Sequence, residues 1–111
     1  MKMSFAPLAL VAGLLSAGNA FAVDAAAAKA LAGQKACLAC HAADKKLVGP
    51  SYKDVAAKHK GQADALEKVA ARIKSGGSGM YGPVPMPPQP TLKDDELKLL
   101  AAWILAGAPD K

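Results

Sequence analysis

The apolar residues of this chain recur at the three- and four-residue spacing that is typical of amphipathic helices. The clearest example is the segment 64–74, whose apolar stripe consists of Leu66, Val69, Ala70 and Ile73. A second stripe predicts a C-terminal helix that ends near Gly107, and its members are Leu97, Leu100, Ala101, Ile104 and Leu105. Ahead of this helix, the residues Thr91-Leu92-Lys93-Asp94 resemble a capping box in which Asp replaces Glu.

Two further helices are predicted nearer the N-terminus, and segments rich in Gly and Pro separate the helices. An alanine-rich helix from Ala25 to about Ala39 has Asp24 as its cap, and a short helix covers residues 51–58. The segment from Gly76 to Pro90 contains five prolines and is predicted to be a loop. Loops of this length in compact domains are usually functional. Because no segment alternates convincingly between apolar and polar residues, the sequence predicts an all-α fold.

The first 22 residues have the pattern of a cleaved secretory signal peptide. Lys2 supplies a positive charge, Phe5–Ala17 is apolar and uncharged, and Ala20-Phe21-Ala22 is an A-x-A cleavage site. The alternative is an uncleaved membrane anchor, but the apolar run is shorter than the roughly 20 residues that span a bilayer. We therefore expect two segments, a leader at 1–22 and a single mature domain at 23–111, with export from the cytoplasm and no stable insertion in a membrane.

The composition of the mature segment indicates a small core that needs support from a cofactor. Its aromatic residues are Tyr52, Tyr81 and Trp103, and domains of this size are usually supplemented by a staple or a bound group. The formal net charge of the whole chain is +5. Such a charge can steer association with an acidic partner, or it can simply solubilise an alanine-rich surface. Nucleic acid is not expected as a partner, because no arginine-rich or aromatic-interleaved stretch is present.

The motif Cys37-Leu38-Ala39-Cys40-His41 carries the clearest chemistry in the chain. C-x-x-C-H is the attachment site of a c-type haem, in which each thiol adds to one vinyl group and the histidine offers an axial nitrogen to the iron. A thioredoxin-like pair would need a βαβ setting, a closed zinc site would need four ligands, and a disulfide would leave His41 unexplained. Covalent haem is installed outside the bacterial cytoplasm, so the motif and the leader both indicate the periplasm.

Three residues of the mature segment are candidates for the sixth iron ligand: Met80, Met86 and His59. Met86 lies between Pro85 and Pro87, so its backbone is stiff and its thioether can be presented at a defined place. Met80 is flanked by the flexible, glycine-rich part of the loop. His59 lies between two lysines at a polar helix end and is predicted to face solvent. We therefore expect Met86 to be the ligand.

Three stretches of the chain carry a resemblance to a known family. They are Cys37–His41, Leu47–Lys58 and Gly79–Pro88, the last reading GMYGPVPMPP. In this order they resemble the small bacterial class I cytochromes c of the cytochrome c-551 (cytochrome c8) type. The resemblance implies a small all-α class I cytochrome c fold, with four to five helices around one covalently attached haem c.

The same resemblance implies roles for individual residues. Cys37 and Cys40 would form the thioether bonds, and His41 and Met86 would be the axial ligands of the iron. The Pro50 carbonyl would accept a hydrogen bond from the His41 ring. Two further residues would face the haem propionates, Arg72 as a basic partner and Tyr81 as a phenol where several relatives have Trp.

A haem with two protein ligands has no position open to a substrate, so the sequence predicts an electron-transfer protein and not an enzyme. We expect a soluble periplasmic carrier, monomeric and in transient contact with redox protein partners. It would pass single electrons from, for example, a quinol-oxidising complex to a terminal reductase, oxidase or peroxidase. The alternative is a five-coordinate haem enzyme or gas-binding cytochrome, although four-helix gas-binding haem proteins carry C-x-x-C-H near the C-terminus.

Overall fold

The computed structural model describes residues 23–110, so the predicted leader at 1–22 and Lys111 lie outside the described residues. Within this range, four α-helices, one 3₁₀ turn and one two-stranded hairpin follow each other in sequence. In order they are α1 (Ala25–Gln34), the 3₁₀ turn (Cys37–Ala39), α2 (Tyr52–Lys58), α3 (Ala65–Ser75), β1 (Gly77–Gly79), β2 (Gly82–Met86) and α4 (Asp94–Leu105). The prediction of an all-α protein with four to five helices is confirmed.

The C-terminal helix α4 is the centre of the core and packs against α1, α2 and α3. Its buried face consists of Leu97, Leu100, Ala101, Trp103 and Ile104. From α3 the core receives Val69 and Ile73, two members of the predicted stripe. Within residues 23–110, no helix combines the length and the apolar character that crossing a bilayer requires.

Helix α1 ends five residues earlier than its alanine-rich sequence predicts. The last turn closes with the Lys35 N–H donating to the Leu31 carbonyl at 3.0 Å. Ala36 then has φ 61° and ψ 20°, a left-handed conformation that cannot continue a right-handed helix. The chain turns at this residue and enters the 3₁₀ turn that carries Cys37. The backbone at Ala36 therefore separates the haem motif from α1.

The segment predicted to be a loop between α3 and α4 contains a short antiparallel hairpin. Gly77 pairs with Met86 and Gly79 with Gly82, with an irregularity between the two pairs. Pro83 and Pro85 alternate with the other β2 residues, and a hairpin has free edges, so their missing N–H groups are tolerated. The sequence did not predict these strands, because glycines and prolines occupy the positions where alternating apolar side chains would indicate a strand.

Helix α4 begins three residues after Thr91, at Asp94, so the predicted capping box is wrong in its register. The Glu96 carboxylate, at the third helical position, accepts from the Lys93 N–H at 3.0 Å. At the other end, Gly107 has φ 90°, and the Ala108 N–H donates to the Trp103 carbonyl at 2.9 Å. Together with the bond from the Gly107 N–H to the Ile104 carbonyl, this is a Schellman motif.

Candidate haem site

The two cysteines and the histidine of the motif line one side of a large cavity. The cavity has a volume of about 790 Å³. Cys37 and Cys40 are half-buried free thiols. The 3₁₀ turn that carries them is closed by the Cys40 N–H, which donates to the Cys37 carbonyl at 3.2 Å, and the His41 N–H donates to the same carbonyl at 3.0 Å. The local backbone therefore directs the side chains of all three residues toward the same cavity.

The His41 ring is held in one orientation by the residues that follow it. Its Nδ1 lies 2.8 Å from the Pro50 carbonyl oxygen. A carbonyl can only accept, so Nδ1 carries the proton, and Nε2 keeps the lone pair that a metal ligand requires. The ring is also stacked on Tyr52, with centroids 5.2 Å apart and planes at 17°.

Two residues that the sequence analysis did not assign to the site support this orientation. Tyr52 is buried and stands edge-on to Trp103, with centroids 5.3 Å apart. Gly49 lies so close to the His41 ring that a Cβ there would overlap it. The position of Gly49 directly before Pro50 is the only sequence signal for this role. Tyr52 gave no signal beyond its place on the apolar face of a helix.

The opposite side of the cavity is formed mainly by α3 and the hairpin. Met86, the last residue of β2, is partly buried and packs against the core. Its backbone is held by the pairing with Gly77 as well as by its proline neighbours. Gly76 has φ 65°, and a Cβ there would overlap the backbone of Met86 and the two residues after it. The glycine is therefore required where α3 ends and the Met86 segment crosses it.

The other two candidate ligands also line the cavity, but in different settings. Met80 lies in the turn of the hairpin and its exposed fraction is 40%. His59 was predicted to face solvent, and this prediction is wrong: it is only 6% exposed. Its Nδ1 lies 2.9 Å from the Gln62 side-chain oxygen. The polar lysines that flank His59 in sequence point elsewhere because a helix end exposes one face and buries another.

Tyr81 and Arg72 line the cavity near the hairpin. Among buried side-chain polar atoms of the described residues, the Tyr81 hydroxyl is the one without a hydrogen-bond partner. Burial raises the pKa of Tyr81, although the nearby Arg72 opposes the shift. The phenol therefore keeps its proton and can donate. Arg72 makes one long hydrogen bond, from Nη1 to the Gly76 carbonyl at 3.4 Å.

The environment of Cys37 differs from that of a reactive thiol. Burial raises the pKa of the Cys37 thiol; a backbone hydrogen bond opposes this, and the neighbouring Cys40 adds to it. Reactive cysteines in C-x-x-C motifs have lowered pKa values instead. Within residues 23–110, no group of three or more His, Cys, Asp or Glu side chains is arranged to hold a metal ion.

The residues that line the cavity fit a covalently held haem. Two thiols and a histidine with a free Nε2 are adjacent, most of the wall is apolar, and a buried phenol that can donate faces the same space as an arginine. An unpartnered buried donor is costly unless it binds a ligand group. A propionate is a carboxylate and would accept from both side chains.

Comparisons with known proteins agree with this fit. The family model described as Cytochrome c matches residues 25–108. A cytochrome c-551 from Pseudomonas aeruginosa is 50% identical over 103 residues, which cover 92% of this chain and 95% of the relative. A cytochrome c-552 from Hydrogenobacter thermophilus is 55% identical over 76 residues, which cover 68% of this chain and 76% of the relative.

The solved structures that resemble this one have the same class of fold. The crystal structure of Nitrosomonas europaea cytochrome c552 superposes with a TM-score of 0.69 at 44% identity, covering 71% of this chain and 98% of that one. A class 1 cytochrome from Sideroxydans lithotrophicus gives a TM-score of 0.67 at 35% identity, covering 79% of this chain and all of that one.

These relatives and the motif establish the cofactor and the coarse function. The protein carries a single covalently attached haem c with iron, and it is an electron carrier and not an enzyme. The resemblance that the three sequence stretches indicated is thereby confirmed. On this evidence the chain belongs to the cytochrome c family, among the class I monohaem cytochromes of the c-551 type.

Proposed function

We propose that this chain is a periplasmic electron carrier in which Cys37 and Cys40 hold the haem through thioether bonds and His41 and Met86 are the axial ligands. It passes single electrons between transient protein partners, a donor such as a quinol-oxidising complex and an acceptor such as a terminal reductase, oxidase or peroxidase. Haem c supplies the reversible one-electron chemistry of its iron. The protein supplies the attachment, the orientation of the ligands and the surface for docking.

The observation that carries the proposal is the hydrogen bond between His41 Nδ1 and the Pro50 carbonyl, at 2.8 Å. It leaves Nε2 as the atom that can bind a metal, in a ring that also lines the cavity with both thiols. A ring held in this way keeps its orientation when the charge of the site changes, because the bond, the Tyr52 stack and the close approach of Gly49 all restrict rotation.

The setting of Met86 supports its assignment as the second ligand. Met86 packs against the core and its strand is paired, whereas Met80 is exposed in the turn. His59 lies at the end of α2, outside the proline segment that holds Met86, and its buried ring is hydrogen-bonded to Gln62. With two side chains assigned to the axial positions, none remains for a small-molecule substrate.

Docking is supported by an apolar rim around the mouth of the cavity. Four of the lining residues are large, apolar and exposed by 40 to 57%: Leu47, Val48, Met80 and Val84. Lys46 and Lys68 also line the cavity. A contact of this kind suits a partner with an apolar patch fringed by acidic groups, and electron-transfer contacts are typically small, below about 1,200 Å².

The ligand assignment is tested by optical spectroscopy of the purified holoprotein. The ferric protein should show the weak iron–methionine charge-transfer band near the red end of the spectrum. The band should disappear in Met86→Ala and remain in Met80→Ala and in His59→Ala. Disappearance in Met80→Ala alone would assign the ligand to the turn. Ready binding of carbon monoxide by the ferrous protein at neutral pH would favour the five-coordinate alternative.

The docking surface is tested by the rate of electron self-exchange between two copies, measured by NMR line broadening. Val84→Asn removes an exposed apolar side chain from the rim without changing the net charge, and it should slow self-exchange several-fold. The matched control is Ala30→Asn, at an exposed position of α1, which should leave the rate unchanged. Equal self-exchange rates for the two variants would show that the apolar rim is not the docking surface.

The compartment is tested by the mass of the exported protein. An osmotic-shock fraction should contain a chain that begins at Val23 and carries the mass of one haem. A chain that retains Met1–Ala22, or one recovered only from the membrane fraction, would contradict the proposed cleavage.

A further inference from the structure

Lys58, the last residue of α2, reaches across to the turn of the hairpin and makes two contacts there. Its Nζ donates to the Met80 carbonyl oxygen at 2.8 Å. The same Nζ lies 5.1 Å from the centroid of the Tyr81 ring, within the range of a cation–π contact. Met80 and Tyr81 are the two residues that connect β1 to β2, so both contacts are made to the tip of the hairpin.

The far end of the hairpin is held by other groups. Gly77 pairs with Met86, and the Gln89 N–H donates to the Lys74 carbonyl at 3.0 Å, which ties the segment after β2 to the end of α3. The tip projects from this base, and its glycines, Gly79 and Gly82, both have positive φ. A short hairpin of this composition is marginal by itself, so contacts at the tip decide how closely it lies to the cavity.

Helix α2 also supports the other side of the haem site. Its first residue, Tyr52, stacks on His41, and its N-cap, Ser51, follows Pro50, whose carbonyl binds the same ring. The helix is only seven residues long. One short, rigid element thus contacts the histidine at its first turn and the hairpin tip at its last residue.

We propose that Lys58 is a positioning residue, which fixes the hairpin tip and thereby orients the Tyr81 phenol within the haem cavity. This inference rests on the proposed contact between Tyr81 and a haem propionate. A solvated surface lysine would be the ordinary interpretation of an exposed Lys at a helix end, since holding a long side chain in one place costs entropy. Two simultaneous contacts to adjacent residues, one of them a charged hydrogen bond, favour the fixed arrangement.

The consequence is that the exposed Lys58 ammonium is engaged in intramolecular contacts and is not free to act as a docking charge. The backbone carbonyl of Met80 is one acceptor and the face of Tyr81 is the second, so the ammonium has a defined place on the hairpin. Loss of this contact would free the tip to open locally. The phenol of Tyr81 would then lose its fixed direction, and the local polarity around the haem would change.

The test compares three variants of the holoprotein. Lys58→Met keeps the length of the side chain but removes the charge and the donor. Lys53→Met, at an exposed position of the same helix, removes the same charge without touching the hairpin. Lys58→Arg restores both charge and donor. Amide hydrogen exchange of residues 79–82 and the haem midpoint potential are measured for each.

Lys58→Met should raise the exchange rates of the tip amides by at least tenfold and lower the midpoint potential by more than Lys53→Met does. Lys58→Arg should restore most of both. In a Tyr81→Phe background the effect of Lys58→Met on the potential should shrink, because the two residues act as one unit. Equal effects of Lys58→Met and Lys53→Met on exchange and potential would overturn the inference.

The outcome is separable from that of the ligand assignment. The charge-transfer band of the wild-type protein reports Met86, whereas tip exchange and the comparison of the lysine variants report Lys58. A wild-type protein without the band would defeat the ligand proposal and leave the exchange comparison interpretable. A wild-type protein with the band but no difference between the lysine variants would defeat only the role of Lys58.

Discussion

The α-carbon of Gly49 lies against the imidazole of His41, so closely that a Cβ at this position would come within 2.8 Å of Nδ1 and 2.9 Å of Nε2. The ring cannot retreat freely, because its other contacts are the Pro50 carbonyl and the Tyr52 ring. The backbone at Gly49 is itself held, since its N–H donates to the Cys40 carbonyl at 2.7 Å. The His41 ring can therefore occupy its observed position only because residue 49 has no side chain.

Gly49→Ala is expected to displace the His41 ring and to destabilise the holoprotein by about 2 kcal/mol, the typical cost of overpacking. Thermal unfolding and the ferric spectrum should both report the change. The matched control is Gly33→Ala in α1, where a Cβ meets nothing within 4 Å. That variant should be more stable than the wild type by about 0.5–1 kcal/mol, because Ala is the better helix former. An unchanged Gly49→Ala protein would contradict the packing argument.

Ala36→Gly is expected to stabilise the protein by about 1 kcal/mol. Ala36 has φ 61°, a left-handed conformation that costs a residue with a Cβ roughly 1–2 kcal/mol and costs glycine little. Chemical denaturation of the holoprotein measures the change. The same substitution at Ala30, an exposed interior position of α1, should have the opposite sign. Destabilisation at both sites would show that residue 36 is not strained.

Trp103→Phe is expected to lower the free energy of unfolding by about 1 kcal/mol through the lost hydrogen bond, in addition to the loss caused by the smaller buried ring. The Trp103 Nε1–H donates to the Pro109 carbonyl at 2.9 Å and joins the C-terminal tail to the core. Phenylalanine keeps an aromatic ring beside Tyr52 but leaves that carbonyl without its donor. Denaturation measures the stability, and faster hydrogen exchange of the amides after Leu105 should accompany the loss. Unaltered exchange there would argue against the tail contact.

Asp110 should contribute a pH-dependent part of the stability. Its hydrogen bond to the Lys29 ammonium, at 2.7 Å, holds the pKa of this carboxyl below its ordinary value. Because the folded-state pKa is the lower one, the contribution is fully present above the ordinary pKa of about 3.9 and is lost as the pH falls through the folded value. The pair is exposed and screened by salt, so the effect is small.

The measurement is the difference in unfolding free energy between the wild type and Asp110→Asn as a function of pH. A small difference should be present near neutral pH and should vanish in strong acid, and added salt should reduce it. Asp24→Asn gives a comparison, since Asp24 caps α1 by accepting from the Ala27 N–H and makes no described contact with Lys29. If the difference in unfolding free energy grew as the pH fell, the lowered pKa of Asp110 in the folded state would be contradicted.

The parts of the site that depend on adjacent residues were predictable from the sequence. Cys37, Cys40 and His41 belong to one pentapeptide, and their spacing alone indicates covalent haem attachment. The stripe over 64–74 predicted α3 to within a residue. Local periodicity reports a helix faithfully when the buried face is continuous. The role of Met86 as a ligand stays a proposal that the sequence and the packing both support.

The predictions that proved wrong concern backbone conformation and burial that residue type and periodicity do not report. Helix α1 stops at Gln34, although alanine favours continuation, because the left-handed Ala36 turns the chain toward the cavity. The hairpin forms from glycines and prolines that carry no alternating pattern. His59 is buried because its helix end faces the cavity, which the flanking lysines do not reveal.

The helices with clear periodicity and the covalent chemistry of the cofactor were readable from the amino-acid sequence, because each depends on residues near one another along the chain. The family was readable from three stretches that occur in a fixed order. The contacts of Tyr52 and Gly49 with the His41 ring, and the burial of His59, became visible in the folded structure alone. The stacking of Tyr52 on His41 joins residues 11 positions apart, and the hydrogen bond from Lys58 to Met80 spans 22. Such contacts form when packing of α4 against the other helices brings the segments together, and no local pattern encodes that packing.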